Sequence, residues 1–471
     1  MDPTSAKIML SAGGGVSEDY WVAFYLNGFL NIDGNPTSVI EQNCKIAVDD
    51  LGNVAFRYKK DTTYVGGTPN YQIVKFDDTG SLAFQKEFSG GRVHGDIGFD
   101  NNNNLYFAYT GSGTGFNQTL ALVKMSSTGG ITWQTQQGNS YQYHNAGGLA
   151  FDSSNNIYLG AKIDWTSNDR YGYSKFNSSG TGQEIKGTGG VINVPPHIIV
   201  DSSGNIYLNG NSASPYKKAK VTKLNSSGVH VWSQEVAEAF DNRESRGIAI
   251  DGSGNVFQLS DGAYNTGSGG RAAAIQKWNS SGTLQWQKSL TGNSSLPNFY
   301  TGNVACDSSG NVYFAGTFGP NNSSSYPRIV KLNSSGTKVW EREVLFFSSN
   351  VPKTRIVNIT IKGDNLYIYV VGYNNNNAGS VPIIMKIPGD GTATTSSSGI
   401  TVNSVNNLLG SNCTFLYISS SSITVANASD TISSSSPTFS SITSLSSATT
   451  SHSFSNSSSS GTSPIIDLRD L

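Results

Sequence analysis

The sequence predicts an all-β protein built around a seven-bladed β-propeller, with four antiparallel strands in each blade. Three observations carry this prediction. A turn phrase of the form D-S-S-G-N recurs seven times at a period near 50 residues, a second phrase of the form N-S-S-G follows it in most repeats, and the two ends of the repeat region lack complementary strands. A period of this length is typical of propellers, in which each repeat supplies one blade.

The first phrase has the pattern of a β-hairpin. An apolar strand ends at Asp, a turn of Ser, Gly and Asn follows, and an alternating apolar strand leaves it, as in VDSSGNIYL around Asn205. Asp accepts hydrogen bonds from backbone amides two residues on, and Gly or Asn tolerates a left-handed conformation, so the phrase favours a turn. The copies are marked by Asn53, Asn104, Asn156, Asn205, Asn255, Asn311 and Asn365, spaced by 51, 52, 49, 50, 56 and 54 residues.

The second phrase lies roughly twenty residues later and predicts another hairpin. In five repeats a lysine precedes an aromatic residue by nine positions: Lys75 and Phe84, Lys124 and Trp133, Lys223 and Trp232, Lys277 and Trp286, and Lys331 and Trp340. The third repeat departs from this pattern, with Glu184 at the aromatic position. We interpret the lysine as an edge-strand or surface residue whose charge discourages strand addition. Two hairpins in each repeat make a four-stranded blade.

The ends of the repeat region indicate how the ring closes. The seventh repeat has a lysine strand around Lys386 but no aromatic strand after it, while Trp21 leads an apolar strand that has no repeat of its own. We therefore expect an N-terminal arm at 1–17 and a propeller at 18–390, in which the strand at 18–30 completes the last blade and removes an open edge. Eight blades are the alternative, if Cys413 to Ala426 supplies a further pair of strands.

The C-terminal segment 391–471 differs in composition from the repeats. It holds 27 Ser and 12 Thr among 81 residues, with only four charged side chains. Such a segment would by default be disordered. However, Ser and Thr alternate with Ile, Val, Leu and Phe in ITVNSV, TFLYIS and SSITVANAS, which indicates short strands. We expect a β-type extension that contacts partner proteins or another copy of the chain, with a wrap around the propeller as the alternative.

Low charge excludes several classes of partner. Only 13% of residues are charged, and 31 basic residues balance 32 acidic ones to a net charge of -1, so we expect no nucleic-acid binding. Apolar runs are far shorter than the roughly 20 residues of a membrane helix, which predicts no membrane insertion. The N-terminus lacks the apolar centre of a secretory signal, so we expect no export by that route.

The sequence contains no recognisable catalytic or cofactor motif. Three isolated cysteines, five histidines and no zinc-binding or nucleophile-elbow pattern predict a protein that has no metal or other cofactor and is not an enzyme. The D-S-S-G-N phrase lacks the ligand spacing of a calcium loop. A propeller enzyme acting on polysaccharide is the alternative of lowest rank, and it requires His94, His144, His197 and Arg246 to converge at the ring mouth.

The irregular connections between strands carry the candidate binding residues. In a propeller blade the two short turns lie on one face, whereas the middle connection and the crossover to the next blade lie on the other. The irregular connections are rich in aromatic side chains, arginine and amides, which suit recognition of a sugar. The alternative is that these residues fill the gaps between blades. The candidates are Tyr141, Tyr143, His144, Trp165, Arg170, Arg243 and Arg246.

These phrases also resemble a known repeat. The pattern D-S-S-G-N-[VI]-Y, followed by V-K-L-N-S-S-G and a tryptophan, is similar to the seven-bladed β-propeller repeat called SBBP, and the similarity covers about Trp21 to Pro388. That repeat occurs in bacterial surface proteins and in virion proteins of tailed bacteriophages, especially marine ones. The start MDPTSAKIMLSAGGG and the Ser/Thr-rich segment after KIPGDG are similar to the virion proteins.

The resemblance implies a structural protein on the surface of a phage particle, in the tail or a tail fibre. Its propeller would display a face that binds a host-surface glycan, and 391–471 would contact other virion proteins in a homo-oligomer. A capsid decoration or head-fibre protein is an alternative within the same class. A secreted or surface bacterial adhesin or sugar-binding module is a further alternative.

Overall fold

The structure is a computed structural model of the chain. It describes residues 6–12, 15–24, 45–59, 70–89, 95–111, 119–138, 145–165, 168–188, 196–211, 218–237, 244–263, 271–291, 298–319, 326–346, 353–373, 380–390, 396–397, 400–404, 414–417, 424–427, 433–435, 438–441 and 447–448. Every regular element in this part of the chain is a β-strand. No helix among these residues is long and apolar enough to cross a membrane.

Blade 1 shows how the repeat folds. Its strands pair in chain order and antiparallel, as β3 (Lys45–Val48), β4 (Val54–Lys59), β5 (Asn70–Phe76) and β6 (Leu82–Ser89). In the first turn, Asp49 Oδ1 accepts the amide hydrogens of Leu51 at 3.0 Å and Asn53 at 2.8 Å. Its other oxygen accepts from the Asn53 side chain at 2.7 Å. The repeated Asp and Asn therefore lock the turn between the first two strands.

Blades 2 to 6 repeat this arrangement. Blade 2 contains β7 (Ile97–Phe99), β8 (Leu105–Gly111), β9 (Thr119–Met125) and β10 (Ile131–Gly138). Blade 3 contains β11 (Asn145–Phe151), β12 (Ile157–Trp165), β13 (Asn168–Phe176) and β14 (Gly182–Thr188). Blade 4 contains β15 (His197–Val200), β16 (Ile206–Asn211), β17 (Ala219–Leu224) and β18 (His230–Ala237). Blade 5 contains β19 (Glu244–Ile250), β20 (Val256–Ala263), β21 (Arg271–Trp278) and β22 (Leu284–Thr291). Blade 6 contains β23 (Asn298–Cys306), β24 (Val312–Gly319), β25 (Tyr326–Leu332) and β26 (Lys338–Phe346).

Blade 7 joins the two ends of the repeat region. Three strands come from the seventh repeat, β27 (Lys353–Lys362), β28 (Asn365–Tyr373) and β29 (Ser380–Pro388), and the fourth is β2 (Gly15–Phe24). Trp21 is paired with Lys386, as the complementary ends of the repeat region predict. A further strand, β1 (Ala6–Ala12), pairs with the outer side of β2. The prediction of a seven-bladed propeller closed by the N-terminal strand is confirmed.

The Ser/Thr-rich segment adds a fifth strand to each of the other six blades. Its strands are β30 (Ser396–Ser397), β31 (Ile400–Ser404), β32 (Thr414–Tyr417), β33 (Thr424–Asn427), β34 (Ser433–Ser435), β35 (Thr438–Ser441) and β36 (Ser447–Ala448). From β31 to β36 they pair antiparallel with the fourth strands of blades 6, 5, 4, 3, 2 and 1 in turn, and β30 pairs with β31. We call these seven strands the belt. The eight-blade alternative is wrong, because the strands near Cys413 to Ala426 join blades 5 and 4.

The apolar core lies between neighbouring blades. One cluster joins Ile46 and Phe56 of blade 1 to Val357 and Tyr369 of blade 7, and equivalent clusters lie at the other boundaries. Full burial of each large apolar side chain contributes about 1.5–3 kcal/mol. Because no blade buries its two faces alone, the ring must close for the core to be complete.

The repeated lysine lies inside this structure. Lys277 is 8% exposed and is the cross-strand partner of Trp286. Its Nζ and the Trp286 indole nitrogen both donate to the carbonyl oxygen of Ser334 in the next blade, at 3.0 Å each. The interpretation of the lysine as an edge or surface residue is wrong. The lysine strand is the third of its blade, covered on both sides, and the charge is accommodated by a carbonyl and by the Phe257 ring at 5.3 Å.

Candidate functional site

Most of the predicted binding residues are not placed by the structure. Tyr141, Tyr143, His144 and Arg243 lie outside the described residues. Trp165 ends β12 and its backbone pairs with Asn168, while Arg170 of β13 pairs with Ile163, so both belong to the hairpin at the long-connection face of blade 3. The proposed role of these residues stays a prediction.

Arg246 is the predicted residue whose side-chain contacts are described. It lies on β19, the innermost strand of blade 5. Its Nε donates to Asp261 Oδ1 at 2.8 Å, and its Nη2 lies 2.8 Å from Glu244 Oε2. Two carboxylates thus hold the guanidinium at the start of the inner strand.

The start of every inner strand faces the same end of the central channel. In each blade, the third residue after the repeat asparagine lies on the second strand and pairs with an aliphatic residue of the inner strand. The residue that precedes this aliphatic residue forms part of a ring. Because each inner strand runs from this ring toward the D-x-x-G-N turn, the ring lies at the opposite end, on the face with the irregular connections. We call Lys45, Asp96, Gly148, His197, Gly247, Asn303 and Asn358 the mouth ring.

The mouth ring surrounds a cavity of about 310 Å³. All five of its non-glycine side chains line this cavity, and they come from blades 1, 2, 4, 6 and 7. Deeper in the channel the lining is largely aliphatic, with Ile199, Ile248, Ile250, Val304, Ile359 and Ile361. Polar groups around an opening with apolar walls behind them are typical of small-ligand sites.

Glycine at two positions lets adjacent inner strands approach. A Cβ at Gly148 would lie 2.9 Å from the backbone nitrogen of Ile198, and one at Gly247 would lie 2.1 Å from Asn303 Oδ1. Side chains at these positions would push the neighbouring strand away from the ring. The two glycines therefore position His197 and Asn303 by making room for their strands.

Hydrogen bonds orient the amides of the mouth ring. Asn303 Nδ2 donates to Asn358 Oδ1 at 3.0 Å, which links blade 6 to blade 7. The same two side chains accept backbone amide hydrogens, Asn303 from Val304 at 2.9 Å and Asn358 from Ile359 at 2.8 Å. With the amide oxygens occupied, the Asn358 Nδ2 hydrogens have no hydrogen-bond acceptor among the described residues and are available to a ligand.

Charge around the cavity is uneven. Asp96 accepts the Ile97 amide hydrogen with one oxygen at 2.9 Å. Lys45 lies in the neighbouring blade, and its ammonium has no ion-pair or hydrogen-bond partner among the described residues. Burial, with smaller contributions from Lys45 and Arg246, lowers the pKa of His197 to about 3. The imidazole is therefore neutral at pH 7.

The structure brings together two of the four residues that the enzyme alternative requires. His197 and Arg246 are close enough to interact electrostatically at the mouth ring, while His94 and His144 lie outside the described residues. The sequence reasoning missed Lys45, Asp96, Asn303 and Asn358. Aligning the repeats on their asparagines would have placed them at one position in each inner strand. No group of three or more His, Cys, Asp or Glu suited to a metal ion occurs among the described residues.

No protein-family model and no curated protein matches this sequence, so the resemblance to the SBBP repeat is not confirmed. Several solved structures are similar. The polysaccharide lyase Uly1 is 10% identical with a TM-score of 0.47, over 81% of this chain and 100% of the lyase chain. A subtype N11 neuraminidase-like protein of A/flat-faced bat/Peru/033/2010 is 13% identical with a TM-score of 0.40, over 77% of this chain and 94% of the other. A GH43 glycoside hydrolase is 9% identical with a TM-score of 0.33, over 85% and 100%.

These similarities correct one prediction. The absence of a recognisable catalytic motif predicted that the protein is not an enzyme. This prediction is wrong, since chains of similar fold include a lyase and a glycoside hydrolase. At such low identity the likeness concerns the fold alone, and no reaction is transferred from it. What the chain itself presents is a seven-bladed β-propeller with a polar ring of side chains around one end of its channel.

Proposed function

We propose that the protein is a glycan-recognition propeller on the surface of a tailed-bacteriophage particle and that the mouth ring binds a sugar residue of the host surface. The observation that carries this proposal is the convergence of five polar side chains from five blades on one cavity of about 310 Å³. A sugar offers many hydroxyl groups, each both donor and acceptor, and its recognition needs several convergent polar groups held by a rigid scaffold.

The mouth ring supplies such groups in fixed positions. Asp96 and the neutral His197 ring are acceptors for hydroxyl hydrogens, whereas Lys45 and the Asn303 and Asn358 amides are donors. Little reorganisation is needed on binding, because the inner strands that hold these side chains belong to the packed ring. Preorganisation of this kind lowers the entropic cost of association.

The irregular connections extend the site outward. Trp165 and Arg170 belong to a hairpin on the same face as the mouth ring. We expect them, together with Tyr141, Tyr143, His144 and Arg243, to contact sugar residues on either side of the one in the cavity. Aromatic faces and arginine suit such contacts.

The virion location and partners rest on the repeat phrases and on the belt. In blades 1 to 5 the belt strand is the outermost described strand of its blade, and in blade 6 β30 lies outside β31. Outer edges of this kind pair with strands of another chain. We propose that residues 391–471 contact other virion proteins or a second copy through such strand pairing while they also wrap around their own propeller. Detection of the protein in purified particles by mass spectrometry supports this location, and its presence only in phage-free host secretions contradicts it.

Binding is tested with a matched pair of amide variants. Asn303→Ala removes an amide contact between blades 6 and 7 at the mouth ring, and Asn101→Ala removes one between blades 2 and 3 at the opposite face, where Asn101 donates to the Asp152 carbonyl at 2.9 Å. Against a panel of host-surface oligosaccharides in calorimetry, we expect Asn303→Ala to weaken binding about tenfold, the loss of one or two hydrogen bonds. Asn101→Ala should bind as the wild type does. Equal affinities in both variants would place the site elsewhere.

The loop face is tested separately. The double variant Tyr141→Ala and Tyr143→Ala should reduce adsorption of particles to host cells several-fold while particle assembly is unchanged. Adsorption at the wild-type rate would remove these two tyrosines from the recognition face.

A second candidate is chemistry on the bound sugar. The observation in its favour is that His197, Asp96 and Lys45 line one cavity, where a neutral imidazole is able to accept a proton. Arg246 is near enough to act electrostatically on this imidazole. A pKa near 3 makes His197 a weak base at neutral pH, since general bases work best near the operating pH. Release of soluble oligosaccharides from a polysaccharide that binds, lost in His197→Gln, would establish this activity.

A further inference from the structure

We propose that the mouth ring selects a sugar residue that carries a single negative charge, a carboxylate or a sulfate ester, with Lys45 as its cationic partner. This inference rests on the proposed glycan binding and names the ligand class. Four observations support it. They are the excess of hydrogen-bond donors in the mouth ring, the lack of an ion-pair partner for Lys45 among the described residues, the pairing of Arg246 with two carboxylates, and the aliphatic lining of the cavity.

The mouth ring is rich in donors. Lys45 supplies three N–H groups and Asn358 supplies two, and none of these has a protein acceptor among the described residues. Asn303 Nδ2 uses one of its two hydrogens on Asn358 Oδ1. Among the described residues, the remaining acceptors of the mouth ring are Asp96, one lone pair of Asn303 Oδ1 and one nitrogen of His197. An anionic group, which only accepts hydrogen bonds, complements such a surplus of donors.

Lys45 is the cation left for a ligand. It begins β3, and no carboxylate in the described part of the chain lies within ion-pair distance of its Nζ, although Asp96 stands at the equivalent position of the adjacent blade. Arg246, by contrast, is engaged by Glu244 and Asp261 at 2.8 Å each. One ammonium that has no ion-pair partner among the described residues matches one negative charge better than the two charges of a phosphate monoester.

The remaining acid of the ring suits the neutral part of the ligand. Asp96 accepts hydrogen bonds and is able to bind a sugar hydroxyl, while the same group would repel a second anion. Lys45 and Arg246 both contribute to the lowered pKa of His197, so an anion beside the imidazole would lie near two cations. The ligand that fits is a sugar ring with its anionic group at Lys45 and a hydroxyl at Asp96.

The cavity lining increases the strength of the charge contact. The aliphatic side chains behind the ring lower the local dielectric, so that an ion pair at the mouth is worth more than one in open water. A volume of about 310 Å³ is at the lower end of the range for small-ligand pockets, roughly 300–1,000 Å³, and suits one sugar residue.

A matched pair of ligands tests the charge requirement. We would compare trigalacturonate with its fully methyl-esterified form, which keeps the sugar rings and removes the charge, by calorimetry at low salt. A sulfated oligosaccharide and its desulfated form make the second arm. We expect the wild type to prefer the charged member of at least one pair by tenfold or more, and we expect the preference to shrink as salt is raised, because screening weakens a partly exposed ion pair.

Variants of Lys45 assign the preference to this site. In Lys45→Met we expect the charged and uncharged ligands to bind within about twofold of each other, because the loss of the ammonium weakens the charged ligand most. Lys45→Arg should keep the preference. Lys338→Met, an exposed lysine on the outside of blade 6, is the control and should behave as the wild type. Melting temperatures establish that each variant is folded.

The outcomes separate the two proposals. Equal binding of charged and uncharged ligands by the wild type, or an unchanged preference in Lys45→Met, overturns the anionic ligand and leaves glycan binding at the ring intact. Failure of every oligosaccharide to bind overturns both. Preference for the sulfated over the carboxylated ligand supports the inference and identifies the anion as a sulfate ester.

Discussion

At the scale of single residues, the repeated lysine and tryptophan link blades 4 and 5 to the blades that follow them. The pair Lys223 and Trp232 donates to Ser280, and Lys277 and Trp286 donate to Ser334, both in the N-S-S-G turn of the following blade. Blade 3 has Glu184 in place of the tryptophan, and another of its side chains donates to the N-S-S-G turn of the next blade.

In that blade Lys186 donates to the Ser227 carbonyl at 3.1 Å. Glu184 accepts the Tyr173 hydroxyl at 2.7 Å and lies 3.7 Å from Lys186. The link to the next blade is thus preserved although the sequence phrase is not.

Removal of one such lysine should destabilise the ring. Lys277→Met keeps most of the apolar stem but loses a hydrogen bond from a charged group and the contact with the Phe257 ring. We expect a loss of about 1.5–3 kcal/mol in the free energy of unfolding, measured by denaturant melts. In Lys338→Met the same change is made at an exposed pair with Glu341, where the effect should stay below about 1 kcal/mol. Similar losses in both variants would contradict the role assigned to Lys277.

Stability should also depend on His197 at mildly acidic pH. Its pKa is about 3 in the folded protein and about 6.5 when unfolded, so the unfolded state binds more protons between these values. Its contribution to stability is complete above pH 6.5 and is lost as pH falls toward 3.

Between pH 7 and pH 5, His197→Gln should therefore lose about 2 kcal/mol less than the wild type in thermal or denaturant melts. Parallel curves for His197→Gln and the wild type would show that the imidazole titrates normally.

At the scale of elements, the hairpin turns act as contacts between blades as well as chain reversals. Gly336 has φ +79°, and a Cβ there would lie 2.9 Å from the Trp286 ring. A Cβ at Gly282 would likewise lie 2.8 Å from the Trp232 ring. Glycine in N-S-S-G thus serves two purposes, a left-handed turn and close packing under the indole of the preceding blade.

A comparison of two glycines separates these purposes. Gly363 also has a positive φ, +56°, but nothing lies within 4 Å of its Cβ position. Alanine at either position costs about 1–2 kcal/mol for the left-handed backbone. We expect Gly336→Ala to destabilise the protein by a further 1 kcal/mol or more, because overpacking against Trp286 adds strain. Equal melting temperatures for the two variants would mean that the turn does not press on the indole.

At the scale of the whole molecule, strands from the N-terminal and C-terminal segments extend the sheets of the ring. The N-terminal strands complete blade 7, and the belt passes the remaining six blades in reverse order. The belt strands are two to five residues long and pair with edges that are already part of four-stranded sheets. The wrap around the propeller, which the sequence offered as an alternative for this segment, is therefore its arrangement in the described strands. Its contacts with other proteins stay a proposal.

Deletion of each end should have different consequences. A chain lacking residues 391–471 keeps seven four-stranded blades, so we expect a folded ring that self-associates through its uncovered strand edges. A chain lacking residues 1–24 loses the outer strands of blade 7, and we expect its melting temperature to fall by more than about 5 °C. Calorimetry and light scattering distinguish these results. Unfolding of the first chain, or a wild-type melting temperature in the second, would contradict them.

The sequence by itself determined the blades. Asp, Gly and Asn in the turn phrases act on residues two to four positions away, and the period and the missing strand at each end depend on chain order alone. Seven blades and the closing strand at Trp21 follow from this local information.

Tertiary structure decided the rest. Lys45 and Asn358 meet at the mouth ring only because the ring closes, the repeated lysine is buried only because the next blade covers it, and the belt pairs with whichever strand edges the blades leave open. Such contacts join residues from distant repeats, so they form only when the blades pack against one another in the closed ring.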